Sequence, residues 1–435
     1  MSSRLQTDIL VCGGGVAGTM AAVAAAREGA SVALVERYGF LGGNATAGAV
    51  AQFNCWQTGN GRTVVAGLAR EVVERLRSYG GAGAHQVFTM STGHAMDRVE
   101  YAPEVLKLVL DDMVLEAGVM PLFHTQLLDI STVAARGIER SVHEVQLLGK
   151  GGILPVSLTV LVDASGDMDA VRLAGGAFLS LCEQETLQPA TMMFRFGPID
   201  FREFDAIPKA QLKQLAEQGV VQGYLARTAL HAARNPFSND AWFNISRLAL
   251  DATDPVALSQ AEMQGRQQAW RAAQYLQAQV PGCRQGALVS FATQVGIRET
   301  RRVHGKHVLT ASELLQPLAF PDAIACGAYP IDIHPAQGSG LSYQAMGPDH
   351  AYQIPYRCLQ PNGLANVLLA GRGVSADHEA LAAIRVMTIS MAVGQAAGVA
   401  AAMAVRLPTE ETGEVGRVPV DRLQETLLNN KAVLA

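Results

Sequence analysis

The sequence predicts a mixed α/β protein: a parallel sheet covered by helices, divided along the chain, and carrying an inserted α+β unit. Three observations predict it. A short apolar run, Asp8 to Cys12, passes through a glycine-rich turn into an alanine-rich helical stretch and then a second apolar run. A late apolar run, Asn366 to Ala370, is likewise followed by glycines and a helical stretch of small residues. Between them, from about Gly176 to Pro355, short strand-like runs, turn clusters and one long polar helix (Pro255 to Gln279) change the texture of the chain.

The composition agrees. The 435 residues are 49% hydrophobic and only 17% charged, with 43 glycines and 6% aromatics. Disordered chains have the opposite bias, poor in apolar residues and rich in charge. Here the apolar surplus is small and aliphatic, which suits close-packed helices and tight turns. The net charge of −5 is spread along the chain without a basic block, so no nucleic-acid partner is expected. Six cysteines (Cys12, Cys55, Cys182, Cys283, Cys326 and Cys358) lie far apart, with no C-x-x-C pair for zinc or thiol redox work. Their even number would allow three disulfides, but a chain this long does not need them. The start, MSSRLQTDILVCGGG, leaves no room for a signal peptide, and a reduced, cytoplasmic protein is expected.

One stretch suggests a membrane. Val386 to Val405 runs twenty residues without a charge, long enough to span a bilayer. Thr388, Ser390 and Gln395 interrupt it, Ala and Gly fill much of it, and no second such stretch exists. An interior helix is therefore expected, and no membrane partner.

The first segment carries chemistry. Asp8 to Cys12 (DILVC) has the pattern of a strand buried on both faces. Gly13-Gly14-Gly15-Val16-Ala17-Gly18 fits G-x-G-x-x-G, and TMAAVAAAREG follows as a helix closed by Gly29. Ser31 to Val35 then ends in Glu36. In such a βαβ unit, Gly13 permits the tight turn, Gly15 lets a pyrophosphate approach the backbone, and Gly18 lets helix and strand close up. The helix start at Val16 and Ala17 offers unpaired N–H groups to the phosphates. Glu36, 23 residues after Gly13, is placed to accept hydrogen bonds from the ribose hydroxyls. This is a Rossmann-like dinucleotide-binding domain. An acid at Glu36 disfavours a 2′-phosphate, which leaves FAD or NAD.

The continuation selects FAD by resemblance. Arg37-Tyr38-Gly39-Phe40-Leu41-Gly42-Gly43-Asn44-Ala45-Thr46 resembles the E-R-x-x-x-x-G-G-x-x-[ST] stretch of FAD-dependent oxidoreductases. These belong to the broad superfamily that includes fumarate reductase and p-hydroxybenzoate hydroxylase. The resemblance implies that Gly42 and Gly43 run along the diphosphate, with Arg37, Asn44 and Thr46 in the same stretch. No histidine stands there, so it implies non-covalent FAD. Asp163-Ala164-Ser165-Gly166-Asp167 resembles the D-A-[ST]-G-D stretch that returns to the cofactor; Ala164 and Gly166 permit close approach, while Asp167 in isolation reads as a helix cap.

A third stretch runs from Leu369-Ala370-Gly371-Arg372 through Ser375-Ala376-Asp377-His378-Glu379 and Ile384-Arg385-Val386-Met387 to Gly394-Gln395-Ala396-Ala397-Gly398. It closely resembles the terminal segment of the FAD-dependent oxidoreductase family, and implies cofactor contacts at Gly371, Arg372, Val386 and Met387. Gln188-Pro189-Ala190-Thr191, Gly296 to Arg302 (GIRETRR) and Tyr329 to His334 (YPIDIH) agree, so the resemblance covers nearly the whole chain. It implies that a helix starting near Met387 aims its positive end at the flavin pyrimidine edge. More distantly, Arg385-Val386-Met387 is similar to the Arg-Met-Gly segment of thiazole synthases.

The expected organisation is a discontinuous FAD-binding domain, residues 1–175 and 356–435, around a substrate-binding domain at 176–355. Within the first part, Pro103 opens a helix from Glu104 to Ala117. Strands are expected at Val119–Phe123, Gln126–Ile130, Glu144–Leu148 and Leu158–Val162.

For catalysis the candidates are His378, Arg385, His334 and Arg298. His378, in the loop before the terminal helix, is a substrate-contacting or proton-transferring residue, or else a structural hydrogen-bonding one. Arg385 could clamp a substrate carboxylate, as its thiazole-synthase counterpart suggests, or bind flavin. Asp332 and His334 alternate along a strand, a spacing suited to a carboxylate orienting an imidazole and equally to a core pair. Arg298, Arg301 and Arg302 are dense enough for anion recognition or for ion pairs; on a helix Arg298 and Arg302 would share a face. His304 and His307 lack a third ligand, and no metal is expected.

The function expected is hydride transfer between flavin N5 and a small polar, carboxylated substrate. An NAD(P)H-fed flavin reductase of the ene type is one alternative. A disulfide-type reductase would need a second G-x-G-x-x-G and a C-x-x-x-x-C pair, and neither exists. A non-redox, thiazole-synthase-like enzyme is the other alternative. Homo-oligomerisation and the electron acceptor are left open.

Overall fold

The structure is a computed structural model that describes residues 4–89, 95–180, 186–334, 342–344 and 346–435. Its centre is a five-stranded sheet of β1 (Ile9–Cys12), β2 (Val32–Val35), β3 (Met120–Leu122), β4 (Val160–Asp163) and β5 (Val367–Leu369). The strand order is β3-β2-β1-β4-β5 and every pairing is parallel. Short Val/Leu/Ile runs form these strands because the sheet is buried on both faces, so alternation is not needed. β1, β2, β4 and β5 are buried throughout.

Register sets the site. Cys12 lies opposite both Val35 and Asp163, and Asp163 lies opposite Leu369, so four strands end in one row. The chain leaves β1 toward β2 on one side, while β4 and β5 lie on the other. The strand order therefore reverses at β1, and open α/β sheets bind ligands at that crevice.

The helices that matter are α1 (Val16–Arg27), α2 (Pro103–Glu116), α3 (Pro255–Gln279), α4 (His378–Ile384) and α5 (Met387–Val405). α5 lies directly on α1. A Cβ added at Gly394 would come 2.2 Å from the Ala17 carbonyl oxygen, and one at Gly398 would come 2.1 Å from that of Ala21. Glycines four residues apart thus let two backbones touch. α5 is the one helix among the described residues long and apolar enough to cross a membrane, and 83% of its apolar window is buried. It is an interior helix. Inside it, Gln395 Oε1 accepts from the Leu68 amide (2.9 Å) and its Nε2 donates to the Asn430 carbonyl (3.2 Å), so the buried amide is satisfied.

Beside the central sheet, Gln126–Ala134, Arg140–Gly149 and Gly152–Ser157 form an antiparallel meander, with Leu5–Gln6 on its edge. Two of these strands were expected, though shorter; Gly152–Ser157 was not. A three-stranded sheet of Gln52–Asn54, Ala82–Thr89 and Ala95–Tyr101 was also unforeseen.

A second hydrophobic core contains Phe194, Phe196 and Phe243 from an antiparallel sheet, packed with Ala269, Ala272 and Leu276 of α3. Its residues between Ala190 and Ile297 are joined only by Ala49 and Ala51 from outside. The first core takes in Val303, Leu309, Ile324, Tyr352 and Tyr356. The inserted core is therefore narrower than the 176–355 stretch expected, because the later part of that stretch packs under the central sheet's own helices. Residues 296–302 are not helical, so Arg298 and Arg302 do not share a helix face. The segment passes between the two cores without regular secondary structure, and its side chains reach different partners. The five described cysteines are all free and buried; Cys182 lies outside the described residues.

The contact between α1 and α5 makes a prediction. Gly398→Val must push the helices apart, and overpacking of this kind costs about 3 kcal/mol. The urea midpoint should fall accordingly; an unchanged midpoint would show that the helices separate freely.

Candidate functional site

A cleft of about 500 Å³ opens along the carboxyl ends of the central strands. Gly13 (φ +106°) turns the chain out of β1, and a Cβ there would lie 2.4 Å from the Ala164 carbonyl oxygen. Gly18 closes helix on strand, since its Cβ would lie 1.9 Å from the Gly13 carbonyl. Gly15 differs from both. A Cβ there would meet nothing nearer than the Gly43 Cα at 4.0 Å, so its space belongs to the cleft. The first two glycines serve packing, and the third keeps room for a ligand.

Val16, Ala17, Glu36, Arg37, Gly42, Gly43, Asn44, Ala164, Gly166, Gly371, Arg372 and Met387 line the cleft as well, as the sequence led one to expect. Gly18 and Thr46 do not. The Thr46 hydroxyl donates to the Leu41 carbonyl (2.6 Å) and so holds the Gly42–Gly43 turn rather than a ligand. Val386 faces the neighbouring chamber instead.

Glu36 is buried at the end of β2. Its Oε2 accepts from the Gly14 amide (2.8 Å) and its Oε1 from the Tyr38 amide (3.0 Å). Burial pushes its carboxyl above the usual range, opposed by those amide hydrogen bonds. The remaining lone pairs can take ribose hydroxyls.

Three cleft features were not read from the sequence. Asp167 is an ion-pair partner and not a cap, since Met168 holds the cap position of the next helix: its Oδ1 accepts from Arg372 Nη2 (2.6 Å) and from the Thr300 hydroxyl (2.8 Å). Gln294, from the far core, accepts from Arg37 Nη2 and from the Tyr38 hydroxyl, bridging the cleft. Thr253 and Pro255, at the start of α3, close the same side. The DASGD stretch held the first signal; nothing local marks the other two.

A second chamber, about 280 Å³, adjoins the cleft and shares Asn44, Ile297, Arg372, Arg385 and Met387 with it. Here the structure gathers Arg385, His334 and Arg298 from distant parts of the chain. Arg385 Nη2 donates to Gln188 Oε1 (3.0 Å) and to the Asp332 carbonyl (3.3 Å), while an Arg298 nitrogen donates to the Pro189 carbonyl. Asp332 Oδ2 lies 3.5 Å from His334 Nε2 and accepts from the Tyr329 hydroxyl (3.2 Å). Burial, with Arg298 close by, lowers the His334 imidazole to about 3. Burial raises Asp332, but His334, Arg385 and Arg298 outweigh it and hold the carboxyl at about 2. The pair is thus a carboxylate beside a neutral imidazole.

His378 is not in this group. It begins α4 rather than sitting in a loop, is buried, and places Nδ1 2.9 Å from Glu299 Oε1; it lines neither cavity. Arg302 pairs with the same Glu299 oxygen at 3.6 Å, and Arg301 pairs with Asp169 at 3.0 Å. Among the described residues no group of three His, Cys, Asp or Glu could hold a metal ion.

Several buried polar atoms at these cavities have no hydrogen-bond partner among the described residues: Arg372 Nη1, Arg385 Nε, Asp332 Oδ1 and Asn54 Oδ1. Orphans of this kind are costly unless a ligand meets them. The space at Gly15, the acceptor at Glu36 and the spare Arg372 donor together fit a dinucleotide.

The FAD-dependent oxidoreductase family matches residues 8–427. The chain belongs to that family. It is an FAD-dependent oxidoreductase, and FAD is its cofactor. No curated protein matches it. Among solved structures it is similar to a geranylgeranyl bacteriochlorophyll reductase-like protein of Thermoplasma acidophilum at 13% identity and TM-score 0.47, covering 99% of this chain and 85% of that one. It is also similar to p-nitrophenol 4-monooxygenase of Pseudomonas putida (12%, TM-score 0.41, 99% and 89%) and to Thermovibrio ammonificans THI4 (20%, TM-score 0.30, 40% and 65%).

Gly15→Ala separates ligand from scaffold. Its backbone (φ −63°, ψ 173°) suits any residue and the Cβ touches no protein atom within ordinary contact. The variant should keep its unfolding midpoint yet lose on the order of tenfold or more in FAD affinity, about 1.4 kcal/mol. Fluorescence titration of the flavin-free protein measures it; unchanged affinity would place the phosphates elsewhere.

Proposed function

We propose that the enzyme transfers hydride between N5 of the bound flavin and a small carboxylated substrate seated in the second chamber. One observation carries this reading: Arg298 and Arg385 converge beside His334 in a chamber that shares a wall with the FAD cleft. FAD, when bound, supplies the two-electron chemistry. The chain must do the rest.

Arg298 and Arg385 offer the planar donor pairs that a carboxylate fits. Binding there holds the reacting carbon and also changes His334. The imidazole is low partly because Arg298 is close, and a bound carboxylate neutralises that influence. His334 therefore becomes a better base when the substrate arrives, with burial still holding it below its ordinary range. In an oxidation, bound FAD would be the acceptor of the substrate's C–H electron pair, and the chain's own task is the proton, which passes from the adjoining O–H or N–H to His334. Asp332 keeps the ring in place and stabilises its cationic form. His378 acts at a distance, as a positioning residue that fixes Glu299.

The reading is tested by anaerobic mixing with a metabolite panel, following loss of the oxidised-flavin absorbance. Carboxylated compounds should bleach it; bleaching by neutral compounds alone would overturn the assignment. His334→Gln should retain FAD and lose about 10²-fold in turnover, the usual weight of a general base. His378→Ala should lower stability while turnover stays within a factor of about three, the reverse of what a proton-transferring residue would give.

The neutral imidazole has a further consequence for stability. His334 holds a proton less readily in the folded chain (about 3) than at its ordinary 6.5. Protons then favour the unfolded state, so stability is retained above about pH 6.5 and declines as the pH falls toward 3. His334→Gln should flatten that decline in urea unfolding measured between pH 4 and 7; an unaltered slope would mean the imidazole is already charged.

A further inference from the structure

The chamber contains one more cation than the proposed reaction uses. Arg227, from the inserted core, lines it with Arg298 and Arg385. Its Nη1 donates to the Asn244 carbonyl (3.3 Å) and side-chain oxygen (3.1 Å), both neutral partners. Asp332 is the single carboxylate lining the chamber among the described residues, and His231 and His334 are both neutral there. Three guanidiniums therefore face one carboxylate. Burial lowers both Arg227 and Arg298 below the ordinary arginine range, aided at Arg227 by Arg247 and at Arg298 by Arg385 and Arg227. Arg372, the fourth guanidinium on this wall, is already matched by Asp167.

The cations are held at two places. Arg298 and Arg385 rest on the adjacent residues Pro189 and Gln188. Arg227 rests on Asn244, in the inserted core, where His231 Nε2 also meets Gln52 Oε1 (3.0 Å). Phe88, Met96, Met193 and Val50 supply apolar wall to the same chamber. Buried charges of one sign need a partner, and a ligand is the partner that leaves them useful.

We infer that the substrate is a dianion with an apolar body: one anionic group meets Arg298 and Arg385, and the second meets Arg227. This rests on the proposed function, whose reaction needs only the first group. Arg227 is then the residue that sets specificity, since a substrate lacking the second anion leaves it buried and unpaired.

The test uses the FAD-loaded protein. Isothermal titration is run with straight-chain dicarboxylates of increasing length, with the matching phosphonocarboxylates, and with isosteric monoamides. At least one dianion should bind about tenfold or more tighter than its monoamide, the usual weight of a hydrogen-bonded charge. Tighter binding of the phosphonocarboxylate than of the dicarboxylate would identify the second group as a phosphonate-like anion. Arg227→Gln should abolish the preference by weakening the dianion about tenfold while the monoamide stays within twofold, a non-additive pair. Equal binding of every dianion and its monoamide, or equal weakening of both by Arg227→Gln, overturns the inference. Flavin bleaching is scored separately. A preferred dianion that binds without bleaching leaves this site standing and sinks the hydride-transfer reading.

Discussion

The carbonyl oxygens of Ala17 and Ala21 lie where no side-chain carbon can fit, and α5 meets them with Gly394 and Gly398. The rest of the site depends on this contact of backbone with backbone. α1 starts at the turn after β1, so any helix lying against it at this distance begins beside the same turn. α5 therefore brings Arg385 and Met387 to the cleft, and Val386 to the adjoining chamber, from a segment some 370 residues farther along the chain. A larger residue at either glycine would lift that whole segment away. The low charge and abundant small residues of the chain are explained by such contacts, and the apparent membrane span is their most concentrated case.

Around this frame the few buried charges are arranged unevenly. At the cofactor cleft Arg372 pairs with Asp167 and Arg301 with Asp169, and behind it Arg302 pairs with Glu299. On the chamber side guanidiniums outnumber carboxylates among the described residues. An interior tolerates unpaired charge only where a ligand answers it. The imbalance thus separates the part of the site that is structural from the part that awaits a substrate. In the proposed reaction it also links binding to chemistry, because Arg298, which would receive the carboxylate, adds to the burial that lowers His334.

Much of the cofactor half was legible in the sequence. Gly13, Gly15 and Glu36 sit at fixed offsets from a strand, and short-range sterics dictate what each must do. Gly42, Gly43, Ala164, Gly166, Gly371 and Arg372 followed from resemblance and line the cleft. Thr46 belonged to the same stretch but turned inward to hold its own turn, which spacing could not distinguish. The chamber half was far less legible. Arg298 and Arg302 look like one face of a helix only if the segment is helical, and it is not. His378 appeared to face the flavin because it follows a cofactor loop, yet Glu299 claims its ring.

The sequence by itself determined the βαβ unit with Glu36 at the end of its second strand, and the interior nature of the terminal helix, while the kind of cofactor came through resemblance. These rest on neighbours within about 35 residues, where covalent geometry and side-chain size limit the choices. Only the tertiary structure decided which charges meet. Arg227, Arg298, Asp332, His334 and Arg385 come from four separate segments, and Gln294 reaches across from the second core to Arg37 and Tyr38. Their meeting depends on strand order and helix packing, which act through space and leave no local mark on the chain.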